Sequence, residues 1–154
     1  ISVHMNNSEN SVFNETMRKF GAPQAIIWQY QHWSVLLRPA QATLGAMVLV
    51  AHEPVQAFSE LSPASFAELH PITTHIEAAL AKAFNNDKLN YLMLMMVDPD
   101  VHFHVIPRYA DAKHFGDIEF IDAGWPAAPN LGQVNQTDAT TNQLIMDQLV
   151  SCWS

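Results

Sequence analysis

From residue 25 the chain reads AIIWQYQHWSVLLRP, with apolar positions gathered on two short arms around Gln31-His32, the pattern of an antiparallel hairpin. Ile26, Ile27, Trp28 and Tyr30 form one arm and Trp33, Val35 and Leu37 the other, which Pro39 closes because it lacks an N–H for the ladder. TLGAMVLVAHEP (43–54) predicts a third strand, entered through Gly45 and stopped by Pro54. The period then changes. In LSPASFAELHPITTHIEAALAKAFNN (61–86), Phe66, Leu69, Ile72 or Thr73, Ile76, Leu80, Ala83 and Phe84 recur every three or four residues, which predicts a long helix. Ser62 suits its N-cap and Pro63 its first position, and Pro71 is expected to kink or split it.

KLNYLMLMMV (88–97) and DVHFHVIPRY (100–109) predict two more strands, joined by a tight antiparallel turn at Asp98-Pro99. The run LMLMM is expected to be buried strand, methionine being a good filler of core gaps. Two shorter helices flank these elements. SVFNETMRKFG (11–21) spaces Val12, Phe13, Met17 and Phe20 helically before Gly21, and TDATTNQLIMDQLVS (137–151) offers Thr137 as a cap. The stretch 110–136, with GWPAAPNLG, reads as ordered loop. Antiparallel strands, one long helix and terminal helices define an α+β domain.

Composition narrows the options. A chain of 154 residues with 49% apolar and 14% charged residues folds as one domain with a real core. A net charge of -8, from 15 acids against 7 bases, argues against a nucleic-acid groove but not against a nucleotide-sized ligand. Cys152 is the sole cysteine, so no internal disulfide forms and a reducing, cytoplasmic setting is expected. No run is long enough for a membrane span. ISVH ahead of Met5 reads as a cloning scar, and residues 1–10 are expected to be disordered.

The chemistry concentrates in VDPDVHFHVIPRY (97–109). On a strand, alternate side chains share a face, so Asp100, His102 and His104 line one side, and Val101, Phe103 and Val105 the other. Three readings of the polar row stand open. The histidines are half-buried and hydrogen-bonded, with no chemical role. Alternatively they share a metal ion, being about 6.6 Å apart along the backbone; Asp100 lies too far from His104 to join them, and neither His32, His52 nor His114 can be placed as a further ligand. In the third reading a neutral imidazole attacks a phosphorus or acyl centre while its neighbour binds or protonates the reacting group. Spacing alone does not choose between the last two.

DVHFHVIPRY resembles the histidine-triad (HIT) motif, in which three histidines alternate with apolar residues before two further apolar positions. The resemblance extends over residues 25–109, because the hairpin, the strand AMVLVAHEPV, the helix FSELSPASFAELH and the paired strands come in the family's order. It implies a small antiparallel sheet of about five strands with one long helix across it, in a single HIT-like domain over 11–154 that includes a C-terminal extension (110–154). It also implies a homodimer that hydrolyses or transfers nucleotides through a nucleotidyl-histidine intermediate, without metal or cofactor. By position His102 would be the nucleophile, held through its other nitrogen by the main chain, and His104 would hydrogen-bond the phosphate or leaving group.

Two departures accompany the match. Asp100 replaces the first triad histidine, and only VDPD stands where a longer phosphate-cradling loop is usual. The implied partner is a nucleotide-like small molecule, neither nucleic acid nor membrane. The alternative is a nucleotide-binding or regulatory protein that has lost turnover. Asp100, Arg108 and His52 complete the candidate substrate-binding set, Arg108 having an equal claim to solvate a strand end, as does Arg38. His70 and His75 are assigned to the helix surface or core. Trp125-Pro126 resembles a C-terminal pair that some relatives place near the partner subunit's site, although packing on the sheet is the simpler expectation.

Overall fold

The structure, a computed structural model, describes residues 13–153. The scar and disorder expected over residues 1–10, and the helical position of Val12, lie outside the described residues. Five strands form one antiparallel sheet: β1 (Ile26–Gln29), β2 (Trp33–Leu37), β3 (Met47–Ala51), β4 (Lys88–Leu92) and β5 (His102–Arg108), in the order β1-β2-β3-β5-β4. The hairpin turns at residues 30–32, as the apolar pattern requires.

Helix α2 (Pro63–Phe84) lies on one face, with Ile72, Ile76 and Leu80 in a single apolar cluster with Val35, Leu49 and Val105. Ser62 caps it by accepting from Ser65 N, and Pro63 opens it. Pro71 neither splits nor ends the helix. Ala67, whose carbonyl loses its helical donor, is exposed with Pro71, so water can take that carbonyl. The Thr73 and Thr74 hydroxyls donate to the neighbouring carbonyls of Leu69 and His70. Phe66, expected in the core, is exposed and meets Phe58 edge-on at 5.1 Å; Ser65 occupies the buried position instead.

Other boundaries differ from expectation for local reasons. Strand β4 ends at Leu92, and residues 93–101 form the connection to β5 in place of a two-residue turn. LMLMM is mostly this loop: Met95 takes a left-handed φ of 55°, and Met96 is 85% exposed beside Val97 at 82%. A run without alternation carries no register, and the sheet simply stops pairing before it. The stretch 110–136 contains a small hairpin, β6 (Lys113–Phe115) with β7 (Ile118–Phe120). Helix α3 (Ala139–Cys152) is capped by Asp138, which accepts from Thr141 N, rather than by Thr137. It packs on α2 and β1. Beyond it, Trp153 stacks on Trp28 and donates to the Tyr30 hydroxyl at 2.8 Å.

The opposite face of the sheet carries a short helix, α1 (Glu15–Lys19). Phe13 and Met17 pack there against Ile26, Leu36, Val48 and Val50. This is the face onto which the histidines alternate.

Candidate active site

The β3–β5 register sets Val50 opposite His102 and Val48 opposite His104. With Ser34 opposite Val50 and Leu36 opposite Val48, two rows cross the sheet, Ser34–Val50–His102 and Leu36–Val48–His104. The imidazole rings meet edge to face with centroids 5.2 Å apart. His102 Nδ1 lies 2.7 Å from the Asp100 carbonyl. A carbonyl only accepts, so Nδ1 carries a proton, and in the neutral ring the lone pair is on Nε2.

His104 differs. Burial first, then the positive charges of His102, Arg38 and Lys19, hold its pKa down at about 4, with Asp98 opposing them. It is therefore neutral at ordinary cellular pH. Its Nδ1 is buried without a hydrogen-bond partner.

Asp100 is taken up by α1, on the histidine face. It lies before β5, where its carboxylate accepts from Thr16 N at 3.1 Å and its own N–H donates to the Thr16 hydroxyl at 3.2 Å. Asn14 caps the same helix by accepting from Met17 N, and its amide donates to Ala51 O. A carboxylate against free N–H groups at a helix start is favourable by charge and hydrogen bonding alike. The acid at the altered triad position thus anchors α1 to the sheet. At the other end of α1, Lys19 pairs with Asp98 at 2.5 Å.

This anchoring closes the site. Phe20, just after α1, sits 6.2 Å from the His102 ring and 5.9 Å from that of His104, and the two histidines are 2% and 7% exposed. A polar row under a latched helix was not legible from spacing, because the contacts from Thr16 to Asp100 and from Lys19 to Asp98 join distant parts of the chain.

The remaining candidates are dispersed. His52 follows β3 on the histidine face, and its Nε2 is 2.7 Å from the Ser34 hydroxyl while Nδ1 faces the Gln31 carbonyl at 3.0 Å. Arg108 is a correction to both expectations. It is 4% exposed, gives Asp122 a two-pronged contact at 2.7 and 3.1 Å, and donates to Asn90 at 2.8 Å. Its guanidinium is committed to tying down the 110–136 extension, since Asp122 also accepts from Tyr109 N and Gly124 N. Neither a phosphate contact nor a solvated strand end describes it.

His75 bonds the Tyr30 hydroxyl at 2.8 Å, His70 is exposed, and His114 pairs with Glu119 across the small hairpin. Trp125 is half-buried. Among the described residues no three His, Cys, Asp or Glu side chains converge as a metal cage. No helix among them is long and apolar enough to cross a membrane.

A five-stranded antiparallel sheet, a long helix on one face and two alternate histidines on the other define a histidine-triad architecture. The model of the HIT domain family matches residues 20–111, more than half of the chain, and the protein belongs to that family. Solved structures agree on the fold. A histidine triad protein from Bradyrhizobium japonicum superposes with a TM-score of 0.71 at 23% identity, covering 92% of this chain and 97% of that one. A histidine triad protein from Sinorhizobium meliloti gives 0.70 at 20% identity, with 91% and 95% covered. A hypothetical histidine triad nucleotide-binding protein from Sulfolobus tokodaii gives 0.63 at 14% identity, with 83% and 82% covered. No curated protein matches the chain.

Proposed function

We propose that the protein is a hydrolase or transferase of nucleotide-like phosphate compounds, of phosphoramidate or dinucleoside-polyphosphate type, with His102 as nucleophile. The observation that carries this reading is the 2.7 Å contact from His102 Nδ1 to the Asp100 carbonyl, which in the neutral ring puts the attacking lone pair on Nε2. Nε2 forms a bond to the α-phosphorus as the bond to the leaving group breaks, giving a nucleotidyl-histidine. Water then attacks phosphorus, and the N–P electron pair returns to the imidazole. His104, neutral at working pH, hydrogen-bonds the phosphoryl or leaving atom, while the leaving group takes its proton from solvent and the attacking water returns one to it. No metal is required by these steps. Family membership supports the substrate class, as does the nucleotide-binding description of the Sulfolobus tokodaii protein. Homodimerisation belongs to the same reading.

Access is the condition. With the imidazoles 2% and 7% exposed, phosphorus reaches His102 only when α1 and Phe20 lift away. That burial favours the second reading, a nucleotide-binding protein without turnover. AMP release from adenosine-lysine phosphoramidate and diadenosine polyphosphates, measured beside His102→Ala, separates them. Turnover lost in the variant supports the enzyme. Equal release by both proteins removes His102 from the mechanism, and binding without release by either supports the second reading.

A further inference from the structure

The chemistry above leaves Arg38 unused. Its N–H donates to Ala46 O at 2.9 Å, so it continues the β2–β3 ladder by one residue. Ser34, Leu36 and Arg38 alternate onto the face that carries His102 and His104. One register step beyond Met47–Val105 brings Ala46 beside Ile106, which pairs with Asn90. The strand residue between Arg38 and β5 at this level is Ala46. Arg38 stands two strand spacings, about 10 Å, from β5 and level with Ile106, two residues along the histidine face from His104. The charge of Arg38 is already felt at His104.

Its hydrogen bonding is incomplete. NH1 donates to the Ala40 carbonyl at 2.6 Å, but Nε is buried with no partner. No carboxylate among the described residues pairs with it, although Lys19 and Arg108 each have one. A buried donor on a charged group loses its hydration without compensation, so such a group calls for an acceptor. Arg108, on the same face, shows the satisfied alternative with Asp122 and Asn90 filling its fork.

We propose that Arg38 binds a second anionic group of the substrate, a phosphate beside the one attacked at His102. The favoured class is then a phosphoanhydride or phosphoester with at least one phosphate besides the reacting one. The placement rests on the phosphorus-attack reading, but the binding does not depend on turnover.

The test is titration calorimetry with inorganic phosphate and with tripolyphosphate, on the wild type, Arg38→Gln and Arg38→Lys. Each is repeated in a Phe20→Ala background so that the cover does not limit binding. Tripolyphosphate should bind the wild type more tightly than phosphate does. Arg38→Gln should weaken tripolyphosphate roughly tenfold or more while changing phosphate by less than about twofold, and Arg38→Lys should restore part of the loss. Equal weakening of both probes, no weakening, or no binding even without Phe20 overturns the proposal. Arg38-dependent binding with no His102-dependent turnover sinks the nucleophile and leaves the subsite standing. His102-dependent turnover with binding indifferent to Arg38 does the reverse.

Discussion

The two faces of strand β5 are closed by unlike covers. On one, Val105 meets the 22-residue helix α2, whose Ile72, Ile76 and Leu80 are fully buried in a continuous apolar cluster. On the other, His102 and His104 lie beneath the five-residue helix α1. That helix is too short to persist alone and is held by Phe13 and Met17 together with polar latches at Asn14, Thr16 and Lys19. A cover built from extensive apolar interdigitation opens only with the whole domain, whereas one held by two apolar side chains, a few hydrogen bonds and an ion pair opens locally. The scaffold and the histidine face thus share one strand but differ in how they come apart.

The largest effect belongs to the scaffold side. Ile76→Ala should lose about 2–5 kcal/mol in urea unfolding, because a fully buried side chain leaves a cavity beneath a sheet that cannot collapse into it. It should leave the relative reactivity of His102 in the folded protein unchanged. A matching rise in that reactivity would mean the two covers move together.

Acidification acts on the histidine side. His104 takes up a proton near pH 4 in the folded chain and near 6.5 unfolded, so between those values the unfolded state binds more protons and stability falls as pH falls. The loss at pH 4 should be roughly 1–3 kcal/mol after allowing for solvent screening of a partly buried ring, and burial depresses His52 in the same direction. His104→Gln should flatten the slope in pH-dependent urea melts. An unchanged slope would place the titration elsewhere.

The smallest effect sharpens the contrast most. Asp100→Ala removes the carboxylate that receives Thr16 N and should cost only about 1 kcal/mol of global stability. It should nevertheless speed carbethoxylation of His102, since the latch and not the fold restrains it. Global loss without faster labelling would make Asp100 part of the scaffold.

Much of the scaffold was readable because it is periodic. Alternation in HFHV placed both histidines on one face, and Ser62-Pro63 marked the start of α2. Where periodicity ended, so did the reading. LMLMM has strand composition but no register, and beyond Leu92 it became a loop, with Leu94 and Met96 exposed and Met93 and Met95 partly buried against the core, that supplies the long connection missing from the expected turn. Asp100 stood out as an altered triad position, yet its role depends on Thr16, far off in the chain. Arg108 looked like a phosphate ligand or a solvated end because Asp122 lies in a stretch without helical or strand period.

The central claim is that His102 becomes a nucleophile when the α1 side opens. Wild-type protein, Phe20→Ala and His102→Ala are each incubated with adenosine-lysine phosphoramidate, quenched under alkaline conditions that preserve N–P bonds, and read by peptide mass spectrometry. An adenylyl adduct should appear on the peptide bearing His102. It should accumulate roughly 2- to 10-fold faster in Phe20→Ala, where the ring contacts over both imidazoles are gone, and be absent from His102→Ala. An adduct of equal yield in His102→Ala, or none on His102 in either of the other two proteins, would contradict the claim.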